Sequence, residues 1–271
     1  MTSPTRLHCE EARARAYAEA YERLAVPALF AGWARSLVEL AAPPAGARVL
    51  DVGCGTGIVA RTAAASVGAG GWIAAVDSDP AMVAVAREVS AGDSVSIQWQ
   101  GGDALDLPFD DAVFDVVFCQ QALQFLDDPG AALAEMRRVL RHGGRVAIDT
   151  WRGVRPGPAA AALGAALARH LGPEPADELD APCAFGTPEA LSAAVSAAGF
   201  AVDHAGVLVQ PLSVESAAEL LELAALISSL GPSLEEITGE ARRRLAGDLD
   251  RALDGGPRSL LIEACVAVGC R

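Results

Sequence analysis

Nine residues, Val49-Leu50-Asp51-Val52-Gly53-Cys54-Gly55-Thr56-Gly57, constrain this chain most. They describe a short apolar strand, Arg48 to Val52, that ends in an acid and turns through three alternate glycines into a helix. The strand is apolar on both faces, as one buried in a parallel sheet should be. Glycine is needed where backbone lies against a ligand or takes φ > 0, because a Cβ there would collide. The pattern is therefore a nucleotide-binding turn. Its spacing is G-x-G-x-G, whereas a pyrophosphate-binding turn reads G-x-G-x-x-G. Asp51, aimed into the same crevice, is also awkward beside phosphates and suits an amino group.

The next hundred residues repeat the theme. Gly71 to Val76 reads as a second strand ending in Asp77, twenty residues after Gly57, where a ribose-binding carboxylate is expected in a βαβ unit. Asp79-Pro80 is an N-cap followed by proline at the first helical position, with Met82, Val83, Ala86 and Val89 as the apolar side of the helix. Val95 to Gln98 is a third short strand, followed by Gly101-Gly102-Asp103-Ala104. Each acid alone also reads as a helix or turn cap. Three of them at successive strand ends, on the edge where open α/β sheets take ligands, read as a site.

These motifs resemble those of class I S-adenosylmethionine-dependent methyltransferases, of the small-molecule type that includes the ubiquinone and menaquinone biosynthesis methyltransferases. The likeness runs from about Ala45 to Trp151 through VLDVGCGTG at 49–57, VDSDPAMVAVAR at 76–87, GDALDLPFDDAVFDVVFCQQALQFLDDP at 102–129 and MRRVLRHGGRVAIDTW at 136–151. It implies a Rossmann-like, doubly wound α/β sheet of seven strands, mostly parallel with an antiparallel C-terminal strand, plus helical lid elements. It implies S-adenosyl-L-methionine as cofactor. Gly53 and Gly55 would lie against its methionine part, with Asp51 facing the amino group. Asp77 would take both ribose hydroxyls, Ser78 and Met82 would flank the adenine, and Asp103 with the Ala104 amide would meet the adenine edge. Gln120, after a fourth strand Val113 to Cys119, would reach toward the methionine end. The pair Gln120-Gln121 departs from the pattern that quinone C-methyltransferases show there, which argues against a quinone acceptor.

Domain organisation follows: one methyltransferase domain over 1–271, with a cofactor-binding core at 45–151 and substrate-covering helices at 1–44 and 152–250. The first segment carries Tyr17, Tyr21, Phe30 and Trp33. The second carries helices at 159–171, 188–198 (opened by Thr187-Pro188) and near 214–230; the broad apolar surface of the last reads first as ordinary core packing, and otherwise as burial against the sheet together with a substrate or the partner of a homodimer. Ser259 to Val268 is a last long strand after a strand at Phe200 to Val209.

Charge and composition narrow the partners. With 21 basic against 35 acidic side chains the formal charge is −14, a field that repels nucleic acid and anionic membrane and leaves a small-molecule acceptor. Met1 to Tyr21 has no apolar core of the signal-peptide kind, so a cytoplasmic enzyme is expected. The six cysteines, at 9, 54, 119, 183, 265 and 270, form no C-x-x-C, and no metal site is expected.

General bases are scarce. All 21 basic residues are Arg, which removes lysine chemistry. Of the four histidines, His142 is expected to cap the helix begun by Asp128-Pro129 and ended at Gly143-Gly144. His204 falls in a late strand, and His8 has no place. His170 is the catalytic candidate. A sulfonium methyl is intrinsically reactive, so transfer needs chiefly an aligned acceptor held near 3–3.5 Å with water excluded. The expected acceptor is small and largely apolar, with transfer to oxygen, carbon or nitrogen. Two rivals remain: a protein of this fold that binds the cofactor without transferring methyl, and an NAD(P)-dependent oxidoreductase, against which the glycine spacing and Asp103 speak.

Overall fold

Strand alternation sets the architecture. In β1 (Arg48–Val52) and β2 (Trp72–Asp77), Val49, Ile73 and Ala75 point into one apolar layer, and Leu50, Ala74 and Val76 into the other. A sheet apolar on both faces must be covered on both. The computed structural model describes residues 4–92, 95–172, 184–227, 234, 237, 239–253 and 259–271.

The seven strands take the order β3-β2-β1-β4-β5-β7-β6. The remaining ones are β3 (Ile97–Gly101), β4 (Phe114–Gln120), β5 (Leu140–Val154), β6 (Ala201–Ser213) and β7 (Ser259–Cys270). β1 pairs in parallel with β2 and β4, β2 with β3, and β4 with β5. β7 runs against β5: residues 143 and 144 bond to 271, and 155 bonds to 261. This is the expected doubly wound sheet.

The contacts divide the chain into two units: 1–151 with 184–208 and 264–271, and 152–183 with 209–263. In the first, helices α2 (Ala31–Ala41), α3 (Ile58–Val67) and α4 (Pro80–Val89) cover one face through Leu37, Val38, Val59, Ala63 and Val83. On the other face, α5 (Pro129–Val139) and α7 (Pro188–Ala197) bring Leu133, Met136, Leu191 and Val195 onto Leu50, Val117 and Ile148. Full burial of such side chains contributes about 1.5–3 kcal/mol each, so these two layers carry the unit. The caps read from sequence form: Asp79 accepts from Ala81 N–H, Asp128 from Ala131 N–H, and Thr187 from Ala190 N–H.

Ahead of the sheet, α1 (Pro4–Ala20), a π-helical stretch (Tyr21–Phe30) and α2 follow one another without a break. Pro27 lies inside the π-helical stretch; it has no N–H to give to the helical ladder, and a widened turn accommodates the loss. The run Glu10–Ala41 is long and apolar enough to cross a membrane by length and composition, but half of its apolar window is buried inside the protein, as in a core helix.

The second unit is helical. α6 (Pro158–Leu171) packs on α9 (Gly239–Leu253), which also packs on α8 (Ala217–Ile227). Its strand ends are tied by Glu263, which accepts from Arg152 at 2.9 Å and from Arg155 at 2.6 Å. The breadth of apolar surface on α8 has a plain use here, for Leu220, Leu221, Leu223 and Ala224 are all buried. The expected extension of this helix to 230 lies outside the described residues.

Two local expectations need correcting. The helix after Asp128 stops at Val139 rather than at Gly143-Gly144, because Leu140 turns extended (ψ 139°) and pairs with Phe114. His142 therefore sits in β5, not on a helix end. Helix α9 is absent from the expected elements because its sequence is dominated by Arg, Asp and Glu; the stripe Leu245, Leu249, Leu253, all buried, is its only signal. Strands β2, β3, β4 and β6 also begin one or two residues later than expected. Cys54 and Cys119 are buried free thiols and Cys270 is half-buried and free; Cys265 is buried, and the side chains of His8, Cys9 and Cys183 lie outside the described residues.

Candidate functional site

Asp77 and Gln120 end β2 and β4, Asp51 is the penultimate residue of β1, and Asp149 is the last residue of β5 that pairs with β4. Register places Gln120 opposite Asp149, and Asp51 opposite Ala75 and Phe118. Side chains two apart share a face, and Val49, Ala75, Phe118 and Ala147 all belong to the same apolar layer. Four polar groups therefore stand on one face at one edge of the sheet.

Asp51 is 1% exposed. Its Oδ2 accepts from Ala60 N–H at 3.0 Å, a cap for α3 supplied from a neighbouring strand, because Gly57 at the N-cap offers no side chain. Its Oδ1 is buried without a hydrogen-bond partner. Burial pushes the carboxyl up to about 7, with Asp77 and Asp149 adding to the rise and Ala60 N–H and Arg61 opposing it. Such a group is at rest only when protonated or when a cation arrives.

The turn itself is shaped by contacts as much as by conformation. Gly53 has φ 67° and a Cβ there would sit 2.4 Å from Ala122 Cβ, while one on Gly57 would sit 2.1 Å from the Trp99 ring. Gly55 differs, since its nearest neighbour would be the edge of Tyr21 at 3.8 Å, and its N–H donates to Asp77 Oδ2 at 2.7 Å. Asp77 Oδ1 accepts from Asp79 N–H at 2.9 Å. Both oxygens thus anchor backbone, each keeping a lone pair, and burial raises the Asp77 pKa.

Gln120 and its neighbour belong to a second cluster. Gln120 Nε2 donates to Asp149 Oδ2 at 3.3 Å and to the Phe30 carbonyl at 3.4 Å. Gln121, at φ 54°, donates to Asp149 Oδ1 through its main-chain N–H at 3.1 Å and its Nε2 at 2.9 Å. Asp149 is wholly buried, and that burial pushes it up to about 7 against the pull of these donors. Asp149 is absent from the roles that the sequence motifs imply. Its signal was the one used for Asp51 and Asp77, an acid closing an apolar strand.

Over this edge lies the π-helical stretch. Tyr21 stacks on Phe30 at 5.0 Å, Phe30 meets Trp33 edge-on at 6.2 Å, and Trp33 meets Trp151 at 5.8 Å. Glu22 pairs with Arg61 at 2.8 Å, and the same guanidinium donates to the Thr56 carbonyl of the glycine turn. Met82 packs with Ala18, Tyr21 and Val85. Ser78 is exposed, Ala104 half-buried, and Asp103 exposed with Oδ1 on Leu105 N–H at 2.9 Å. His170 belongs to the second unit, where its Nε2 meets Asp248 Oδ2 at 2.9 Å beside Arg169 and Arg251. A separate groove of about 560 Å³, lined by Arg48, Trp72, Phe109 and Arg138 among others, lies where β1 and β2 begin and holds none of these groups.

A glycine turn after β1 and acids at successive strand ends define the Rossmann-like nucleotide-binding class. Residues 50–148 match the family model described as a methyltransferase domain. The demethylmenaquinone methyltransferase of Thermus thermophilus is 32% identical over 192 residues, 64% of this chain and 82% of that protein. The 2-phytyl-1,4-naphtoquinone methyltransferase of Synechococcus elongatus is 39% identical over 118 residues, 43% of this chain, and the chain spans about half of it, 51%. Among solved structures, a protein of Bacillus halodurans shares the fold, with TM-score 0.58 and 20% identity over 88% of this chain and 97% of that one. The chain belongs to the class I S-adenosylmethionine-dependent methyltransferases.

Proposed function

We propose that this protein moves a methyl group from S-adenosyl-L-methionine to a small, largely apolar organic acceptor. The observation that carries the reading is Asp51 Oδ1, a buried carboxylate oxygen without a partner beside the glycine turn. A buried carboxylate in that state fits a cationic amino group and is wrong for a phosphate.

When bound, the cofactor supplies a sulfonium methyl group, and the protein has to hold, orient and dry the reacting pair. Asp51 would accept from the amino group while its other oxygen keeps α3 in place. Gly53 and Gly55 would offer backbone to the methionine part and Gln120 would border it. Asp77 would use its remaining lone pairs on the ribose hydroxyls, with Ser78, Met82, Asp103 and Ala104 around the adenine. Where the acceptor must lose a proton, His170, held by Asp248, is the candidate base. Relatives named for demethylmenaquinone and a phytyl naphthoquinone support an apolar acceptor. The charge of −14 argues against nucleic acid, and among the described residues the buried free thiols Cys54 and Cys119 suit the reducing cytoplasm.

Calorimetric titration of S-adenosylmethionine and S-adenosylhomocysteine, with NADPH as control, tests the reading. Micromolar binding of the first two is expected, followed by release of S-adenosylhomocysteine when an acceptor is added. Silence toward both, or binding of NADPH alone, would overturn it.

A further inference from the structure

The exit of β4 is held in an uncommon conformation. Gln121 has φ 54°, a region in which the Cβ of an ordinary residue crowds the following carbonyl. Such a residue persists only where its surroundings over-determine it. Here one carboxylate supplies three of the restraints: Asp149 Oδ1 takes both the main-chain and side-chain N–H of Gln121, and Asp149 Oδ2 takes Gln120 Nε2, while Gln124 Nε2 donates to Gln121 Oε1 at 3.1 Å. The Asp149 carbonyl accepts from Gln121 N–H as well, at 2.9 Å. The next residue, Ala122, places its Cβ 2.4 Å from where a Cβ on Gly53 would be. Asp149, Gln121, Ala122 and Gly53 thus form one continuous contact path from the end of β5 to the glycine turn.

We propose that Asp149 is a positioning residue for the cofactor pocket, its carboxylate holding Gln121 in the left-handed turn that presses Ala122 against Gly53 and so fixes one wall of the glycine turn. The proposal rests on the reading of that turn as the cofactor site. Gln120, clamped by the same carboxylate, is aimed by it too. A residue that merely joined β4 to β5 would affect stability and leave the pocket alone.

The test is titration of S-adenosylhomocysteine into the wild type, Asp149→Asn and the double variant Asp149→Asn/Gln121→Gly, with the melting temperature of each. The asparagine is isosteric, but its neutral oxygen is a weaker acceptor for the two Gln121 N–H groups, and its own N–H turns toward Gln120 Nε2. Binding about tenfold weaker is expected. Glycine adopts the left-handed turn without a clamp, so the double variant should regain at least half of that loss on a logarithmic scale. Wild-type affinity in Asp149→Asn, or a double variant no better than the single one, would overturn the proposal. Should Asp149→Asn not fold, Gln121→Val probes the same path, since a β-branched residue resists positive φ; about tenfold weaker binding supports the proposal and unchanged binding overturns it. A wild type that ignores the ligand sinks the reading of the site itself, a different result.

Discussion

Gly53 answers to two demands at once, a φ of 67° and the absence of a Cβ where Ala122 stands 2.4 Å away. Gly53→Ala should cost about 2–4 kcal/mol, from the left-handed backbone and the overpacking together. Adding Ala122→Gly should relieve only the contact part, which denaturant midpoints of the two variants would show. Asp77 has a structural task of its own, anchoring the main chain of Gly55 and Asp79. Asp77→Ala is therefore expected to weaken cofactor binding at least tenfold, about 1.5–3 kcal/mol for a charge-assisted pair, and unchanged affinity by calorimetry would remove its ribose role.

Between elements, two ion pairs join the N-terminal helices to the nucleotide-binding half, and their exposure decides which matters. Arg15 and Glu88 are 39% and 58% exposed; a pair so wetted contributes about 0–1 kcal/mol. Met82, Val85 and Ala18 beneath it do more to hold α1 on α4. Glu22 and Arg61 are largely buried, and Arg61 also holds the Thr56 carbonyl, so the π-helical stretch and the glycine turn share one guanidinium. A double-mutant cycle with Glu22→Gln and Arg61→Met should give a coupling of about 1–2 kcal/mol in unfolding. Arg61→Met should also weaken cofactor binding, because Arg61 opposes the upward pull on Asp51. A coupling near zero would demote the pair to a surface contact.

For the whole molecule, the buried acids set the pH response. Asp51 and Asp149 rise from 3.8 to about 7, each chiefly through burial, and Asp77 also rises. Between about 4 and 7 the folded protein keeps protons that the unfolded chain has released, so stability without ligand falls as pH rises through that window and levels above it. Glu135 and Asp248, held low mainly by Arg138 and His170, act in the opposite sense below the ordinary carboxylate range. The melting temperature should thus decline from pH 5 to 7.5, and Asp51→Asn with Asp149→Asn should flatten the slope. Cofactor affinity should climb over the same window, since a cation at Asp51 favours the carboxylate. A melting temperature that rises across that interval would contradict the assignment.

Much of this was legible from local pattern. Apolar runs with period two, Asp-Pro and Thr-Pro caps, alternate glycines and acids closing apolar strands act over a few residues, so they identified the sheet and the placements of Asp51 and Asp77 without a fold. The rest depends on residues far apart in the chain. Gln120 and Asp149 are 29 positions apart and Glu22 and Arg61 are 39; only strand order and helix docking bring them together. The same holds for Ala122 against Gly53, for His142 carried into β5 by the pairing of Leu140 with Phe114, and for α9, whose narrow leucine stripe is completed by its packing. Short-range chemistry chose the elements and half of the polar edge, and burial, which exists only once the chain has closed, gave Asp51 its unpaired oxygen and Asp149 its grip on the turn.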